Sequence, residues 1–598
     1  MKKIVFILSL CLLLRTNFAQ QHPHPLVQNI EGRKTISLDG DWRIIIDPYE
    51  TGFVNYRLDE DQNGFFKNAK PKNKSDRVEY DFDKSEILKV PGDWNSQQEK
   101  LFLYEGTVWY KKSFNYNKKN NTRLYIYFGA VNYNAIVYIN GKKLGEHVGG
   151  FTPFNFEITD KVKDGENFII VKVDNKRLPE GVPTVNTDWW NYGGITRDVD
   201  LIEVPGTFIR DYFIQLSKGS TDNICGWLQL DGNSLSQNVH IKIPEAGIDE
   251  TLKTDENGYT TFRIKSKLTL WSPENPKLYD VIITSTTDTV NDKIGFRSIE
   301  TKGSNIFLNG NKIFLRGISI HEEAPVRSGR AYSKKDAQTL LGWAKELGCN
   351  FVRLAHYPHN ENMIRQAELM GILIWSEIPV YWTIHWDDEK VFANASNQLT
   401  ENITKDKNRA PIILWSVGNE TPRSNSRTQF MKKLIDQARD MDSTRLVTAA
   451  TEIHYVNSNT IMIDDPLGKY LDVLGCNEYI GWYDGLPAKA DSINWKSDYD
   501  KPIVFSELGG GAKYGLHADT STIWSEEFQA NFYKHQIKML KKISFLQGMT
   551  PWILMDFRSP RRVLPGIQDF YNRKGLISNK GEKKKAFYVL QSFYNSLK

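Results

Sequence analysis

Apolar and polar positions follow two different periods along this chain, and the change between them falls near residue 300. From 22 to 205 the apolar residues come in short runs of period two, broken by turn residues, as half-buried strands require. Arg123 to Phe128 and Ala135 to Ile139 are the clearest of these, and Ser37 to Trp42 opens the segment. Asn140-Gly141 lies between two such runs, the strongest short hairpin signal. No helical period intervenes, so the segment predicts a β-sandwich of the jelly-roll type. Residues 206–300 repeat the pattern in Val239 to Ile243, Thr260 to Ile264 and Tyr279 to Ile283, with Pro273 and Pro276 at an edge or turn. Their length suits an immunoglobulin-like sandwich. From 301 to 598, short apolar runs alternate with amphipathic stretches such as Lys334 to Leu347 and Ser525 to Lys542. The runs are Phe314–Ile318, Phe351–Leu354, Ile372–Trp375, Ile412–Val417, Leu446–Thr448, Val473–Leu474, Ile503–Phe505 and Thr550–Leu554. Eight strand–helix repeats predict a (β/α)8 TIM barrel.

Composition changes little in this picture. A chain of 598 residues exceeds one core and agrees with three domains. Hydrophobic residues make up 40% and charged residues 25%, an ordinary globular balance, and a net charge of +5 gives no reason to invoke nucleic acid. The 16 tryptophans are many; most are expected to fill sandwich cores, although aromatic faces also serve as platforms for sugars. Lys583-Lys584-Lys585 reads as a solvated helix face.

Met1-Lys2-Lys3, an apolar stretch from Ile4 to Leu14 and Ala19-Gln20 have the form of a secretory signal peptide, residues 1–19, cleaved after Ala19. The stretch is short for a membrane span, and no other segment looks transmembrane. Cys11 is preceded by Leu10 where a lipoprotein signal wants a small residue. Its removal leaves Cys225, Cys349 and Cys476, which form neither a disulfide framework nor a metal motif. The expectation is a protein exported to a bacterial periplasm or cell surface.

Two carboxylates carry the chemistry. Pro411-Ile-Ile-Leu-Trp-Ser-Val-Gly-Asn419-Glu420 and Pro502-Ile-Val-Phe-Ser-Glu507 each end an apolar strand in a Glu. Strand ends are where barrel enzymes place catalytic groups. Two carboxyls with different environments are the equipment of glycoside hydrolysis, one as acid/base and one as nucleophile. Asn419 is placed to bond a sugar 2-hydroxyl, and Arg353, at another strand end, to hold a nearby carboxylate ionised. Glu322 and Glu377 also follow strands but read as supporting groups. His321, Glu322 and Glu323 are poorly spaced for a metal, and neither metal nor cofactor is expected.

Further motifs stand in order along the chain. Leu308 to Gly317 is followed by His321-Glu322, then Asn350-Phe-Val-Arg353-Leu-Ala-His356-Tyr-Pro358, then Glu377-Ile-Pro379. With the Asn419-Glu420 and Glu507 strand ends, these resemble glycoside hydrolase family 2 over nearly the whole mature chain. The resemblance implies that Glu420 is the acid/base and Glu507 the nucleophile, with His321 as a sugar contact and His356 as a support, although either histidine taken alone suits a structural role equally well. Within that family the chain is most similar to bacterial β-glucuronidases. Asp472 to Tyr483 resembles their sixth-strand motif, which implies that Tyr479 supports the nucleophile and Tyr483 lines the sugar site. Asp188 to Arg197 resembles a sandwich loop that sends Asp188 toward the sugar, and Trp552 matches the eighth-strand Trp. Asn572-Arg573-Lys574-Gly575 resembles the motif that holds the uronate carboxylate; a lysine charge with an amide donor suits that task.

The expected function is therefore retaining, exo-acting hydrolysis of terminal β-glucuronic acid from an oligosaccharide or glycoside. The connection after Pro379 is short, which suggests an open mouth for an oligosaccharide leaving group. A β-galactosidase of the same family and a non-catalytic carbohydrate-binding protein remain as alternatives. Asn572 and Lys574 also suit an ordinary polar loop and Trp552 a core position, while Arg558, Arg561 and Arg562 suit either a solvated basic loop or a contact for an acidic polymer. A homo-oligomer is left open.

Overall fold

The computed structural model describes residues 25–75 and 80–598. The expected signal peptide lies outside the described residues. Among them, no helix is long and apolar enough to cross a membrane.

The first unit is an antiparallel sandwich. One sheet orders Thr35–Ser37, Val199–Pro205, Thr122–Phe128 and Phe154–Glu157. The other orders Glu86–Val90, Gly40–Ile46, Thr107–Tyr116, Gly165–Asp174, Asn134–Ile139 and Lys142–Val148. Their inner faces meet in a core that includes Trp42, Trp94, Tyr110 and Val137. Asn140 and Gly141 both take positive φ, 50° and 78°, as the expected two-residue hairpin turn demands.

The second unit packs the sheet Thr207–Leu216, Asn223–Gly232 and Tyr259–Lys265 on the sheet Ile248–Lys253, Asn238–Ile243, Tyr279–Thr284 and Thr289–Ile294. Along Asn238–Ile243 burial alternates strictly, with Val239, Ile241 and Ile243 inside.

The third unit is a closed barrel of eight parallel strands. They are β1 (Leu315–Ile320), β2 (Phe351–Leu354), β3 (Leu373–Glu377), β4 (Ile412–Asn419), β5 (Leu446–Thr451), β6 (Val473–Asn477), β7 (Ile503–Glu507) and β8 (Leu546–Met549). Every residue of β3, β4 and β7 is buried, because helices cover one face and the barrel interior the other. Six α-helices surround the strands among the described residues: α1 (Lys334–Leu347), α2 (Glu361–Met370), α3 (Glu389–Asp406), α4 (Asn425–Met441), α5 (Glu526–Leu540) and α6 (Lys585–Asn595). Helix α1 shows why the sequence folds locally. Ser333 and Asp336 form a capping box at its start, and Gly348, at φ 99°, ends it in a left-handed turn.

Besides Lys584, which is not on a solvated face but fully buried and paired with Asp556 at 2.7 Å, three expectations need correction. The eighth strand is Leu546–Met549, not Thr550–Leu554. Gly548 pairs with Leu315 where the barrel closes, and a Cβ there would lie 2.6 Å from the Leu315 Cβ. The seam needs a residue without a side chain, and that glycine interrupts the apolar run that would have marked the strand. Second, the β5–β6 and β6–β7 connections carry no α-helix. They consist of 3-10 turns and a small sheet of His454–Asn457, Thr460–Ile463 and Asn494–Ser497. Third, most tryptophans do not fill sandwich cores. Nine of the 16 lie in the barrel segment, among them the fully buried Trp375 and Trp415.

Candidate active site

The carboxyl-terminal ends of the barrel strands gather the site. Glu420 follows β4 directly and takes φ 49°, a left-handed conformation uncommon for a residue with a side chain. It closes an irregular end of the strand, where the β4–β5 register shifts between Ser416 and Asn419. Gly418 permits this path, since a Cβ there would come within 2.7 Å of the Met431 methyl carbon. The Glu420 Oε2 accepts a 2.8 Å hydrogen bond from the Trp382 indole N–H.

Glu507 ends β7 and is buried. Its Oε1 accepts a 2.8 Å bond from Arg353 Nη1, and its Oε2 accepts a 2.5 Å bond from the Tyr479 hydroxyl. The His356 Nε2 lies 3.6 Å from Oε1. Burial pushes the Glu507 carboxyl above the usual carboxylate range. Arg353 pulls it down, while the nearby charge of Glu420 adds to the rise.

Arg353, on β2, organises the floor. Fully buried, it donates to Glu507, to Glu377 at 3.0 Å, to the Ser506 carbonyl at 3.0 Å and to Asn419 Oδ1 at 2.6 Å. Glu377 also accepts from the Trp375 indole at 2.9 Å and pairs with His356 Nδ1 at 2.9 Å. It is held below the usual range, burial being outweighed by Arg353 and His356. Glu322 is structural: it meets Arg197, Arg330 and Asn360 and lies away from the Glu pair's partners.

Asn419 spends its oxygen on Arg353 and on Asn477, whose amide donates at 3.2 Å. Its Nδ2 is buried and has no partner. A buried donor without an acceptor is costly unless something else satisfies it, so this one is suited to a substrate oxygen. His321 Nδ1 meets the Tyr357 hydroxyl at 3.1 Å, and its Nε2 is also buried and unpartnered. Burial, with smaller contributions from His356 and His359, drives its pKa well below the ordinary imidazole value. Trp552 stacks on His356 with centroids 4.8 Å apart and planes 21° apart, a wall of the site rather than a remote core residue.

A cationic corner completes the mouth. The buried Lys574 ammonium donates at 2.7 Å to the Tyr483 hydroxyl. It lies 4.6, 5.2 and 5.7 Å from the ring centroids of Tyr483, Tyr479 and Trp482. No carboxylate pairs with it among the described residues, and burial lowers its pKa. Asn572 lies beside it, accepting from the Lys574 backbone N–H at 3.1 Å and donating to Asp188 at 3.2 Å.

Asp188 reaches the barrel from the first sandwich, and the structure shows what occupies it. Its oxygens accept from Ser559 at 2.6 Å, from Arg562 Nε at 3.0 Å and through a second Arg562 nitrogen, besides Asn572. It therefore clamps the sandwich loop onto the loop after β8. Trp189 from the same loop packs against Tyr381, His356 and His321.

The expected residues thus converge: Asp188, His321, Arg353, His356, Asn419, Glu420, Tyr479, Tyr483, Glu507, Trp552, Asn572 and Lys574 share one mouth. Trp382, Asn477, Ser559 and Arg562 were not singled out as site residues. Asn477 sits inside a recognised motif and Trp382 three residues after Pro379, whereas Ser559 carries no signal in a single sequence. Among the described residues, no cluster of His, Cys, Asp and Glu could hold a metal.

Comparisons with known proteins match this architecture along the chain. The model of the glycosyl hydrolases family 2 sugar binding domain matches residues 36–205, that of glycosyl hydrolases family 2 residues 207–297, and that of the family 2 TIM barrel domain residues 299–598. A Formosa agariphila protein with a provisional β-glucuronidase name is 30% identical over 546 residues, which span 81% of this chain and 64% of that one. The β-glucuronidase of Rattus norvegicus is 28% identical over 572 residues, 85% of this chain and 84% of its own. The solved β-glucuronidase of Bifidobacterium dentium superposes with a TM-score of 0.81 at 23% identity, covering 95% of this chain and 98% of that one, and so shares the fold. With all three of its units matched in order, the chain belongs to glycosyl hydrolase family 2 and is a glycoside hydrolase.

Proposed function

We propose that the protein is a retaining, exo-acting β-glucuronidase. The observation that carries the substrate assignment is Lys574: a buried ammonium with one phenol acceptor and no carboxylate partner among the described residues. A buried unpaired charge is unfavourable by itself and favourable opposite an anion, so the corner selects a sugar that brings its own carboxylate. A neutral hexose leaves the charge unmatched. The β-glucuronidase names of the curated relatives support the same reading.

The residue roles follow from position. Glu507, oriented by Arg353 and Tyr479, attacks the anomeric carbon. Glu420, held by the Trp382 N–H, gives its proton to the departing oxygen. A glycosyl ester on Glu507 results. Glu420, now a carboxylate, takes a proton from water, whose oxygen displaces Glu507 and restores both groups. The unpartnered Asn419 amide suits the sugar 2-hydroxyl, where a bond strengthens as positive charge develops. The clamp of Asp188, Ser559, Arg562 and Asn572 walls the uronate end, which favours removal of a terminal residue. The apolar, lysine-led N-terminus supports export of the enzyme.

The test is hydrolysis of para-nitrophenyl β-glucuronide against the β-galactoside, with the product anomer followed by NMR. The reading expects strong preference for the glucuronide and β-glucuronic acid as first product. Preference for the galactoside, or first release of the α-anomer, contradicts it.

A further inference from the structure

The loop after β8 sends two consecutive arginines to different places. Arg562 is committed to Asp188 at the uronate end. Arg561 turns to the acid/base side. Its guanidinium carbon lies 4.8 Å from the ring centroid of Trp382, and it donates to the side-chain oxygen of Asn186 from the first sandwich. Arg561 forms no salt bridge with a carboxylate among the described residues, and its side chain is exposed.

Trp382 fixes what that position means. Its indole N–H holds Glu420, and its backbone N–H bonds the Asn419 carbonyl at 3.0 Å, so the ring is anchored to the end of β4. Tyr381 stacks on it with centroids 4.5 Å apart. An acid that protonates the glycosidic oxygen stands at the bond between the cleaved sugar and its leaving group. A residue bonded to that acid on the mouth side therefore borders the leaving group. An aromatic ring beside an exposed arginine offers a sugar two contacts: a face for C–H surface and a charge for an anionic substituent.

We infer that Asn186, Trp382 and Arg561 form a leaving-group subsite for a sugar bearing a negative charge, a sulfate ester or a carboxylate. This rests on the glucuronidase reading for the bond that is cut, and it adds that the residue next to the terminal uronate is itself anionic. Lys574 reads the charge of the sugar that is released, and Arg561 reads the charge of the one left behind.

Three disaccharides test the inference: β-glucuronyl glucose, the same compound sulfated on the glucose, and β-glucuronyl glucuronic acid. The readout is the ratio of kcat/KM for each charged substrate to that for the neutral one, so that a general loss of activity cancels. Wild-type enzyme should favour at least one charged substrate about fivefold at low salt, the yield of one exposed ion pair, and less at high salt. Arg561→Gln should bring the ratio close to one, and the two charged arms separate sulfate from carboxylate. A wild-type ratio near one, or one unmoved in Arg561→Gln, overturns the subsite. Titration with glucose sulfate and glucose, read by tryptophan fluorescence, needs no turnover. Saturable binding of the sulfate alone, lost in Arg561→Gln, supports the subsite even if no glucuronide is cleaved, an outcome that would refute only the uronate assignment. Absence of sulfate-selective binding refutes the sulfate form, and together with a ratio near one for β-glucuronyl glucuronic acid it overturns the subsite.

Discussion

The hydroxyl oxygen of Tyr483 lies 2.7 Å from the ammonium of Lys574, and each group shifts the acidity of the other. Burial lowers the Lys574 pKa, and Tyr483 restores part of the loss. Tyr483 is 60% exposed as a residue, and only the desolvation of its hydroxyl works to raise the phenol; Lys574 and Arg562 outweigh it and hold the phenol below its ordinary value. The corner is electropositive at neutral pH and loses that character as pH rises. For glucuronide hydrolysis, KM should therefore climb on the alkaline side below the ordinary lysine range of about 10.4. The climb should be absent for a neutral aryl glycoside turned over weakly by the same enzyme. Measured pH profiles of KM for both substrates check this.

Replacing Lys574 should separate function from stability. Lys574→Met removes the partner of the uronate carboxylate, and kcat/KM for the glucuronide should fall by the equivalent of about 2–5 kcal/mol. The same change removes a buried charge that pairs directly with no carboxylate among the described residues, Asp188 acting on it only from a distance. Folding stability should rise by about 1 kcal/mol or more, seen as a higher melting temperature. The sign follows from the lowered pKa. The cost of the charge is fully present below the folded-state pKa and fades as pH rises toward the unfolded value, so the gain should shrink in alkaline buffer.

The Trp382 indole N–H is the one side-chain donor on Glu420 among the described residues. Trp382→Phe keeps an aromatic ring but deletes the donor. The expected result is a loss in kcat of about 1.5–3 kcal/mol, largest for poor leaving groups that need protonation and smallest for nitrophenol. A series of aryl glucuronides of graded leaving-group acidity measures it as a steeper dependence on that acidity.

Arg353 opposes the rise that burial and Glu420 impose on Glu507. Arg353→Lys keeps a positive charge but cannot reproduce the fork that reaches Glu507, Glu377 and Asn419 together. The acid limb of kcat/KM, where the nucleophile becomes protonated and activity is lost, should move to higher pH, with a drop in kcat of about a hundredfold. An acid limb that stays in place would show that Arg353 does not set the charge state of Glu507.

Much of this was legible in the sequence because strands buried on both faces read as unbroken apolar runs. Ile412 to Val417 and Ile503 to Phe505 announced β4 and β7, and with them Glu420 and Glu507. The eighth strand was misplaced because closure at Gly548 demands the absence of a side chain, which leaves no hydrophobic mark. The arithmetic of the barrel predicts helices in the fifth and sixth connections, although nothing in their residues repeats with a helical period. Lys574 and Asn572 were found through resemblance. What no pattern could show is that Asp188, 384 residues from Asn572, is engaged by Arg562 and Ser559, since that pairing exists only once two domains meet.

The most direct measurement is covalent trapping with a fluorinated β-glucuronyl fluoride, a substrate that forms the glycosyl-enzyme quickly and hydrolyses it slowly. Mass spectrometry of the digested enzyme should find one glucuronyl adduct, on the peptide that carries Glu507. The neutral glucosyl analogue should leave the enzyme unlabelled, and Lys574→Met should slow labelling sharply. An adduct on another residue, or equal labelling by the neutral analogue, would contradict the account.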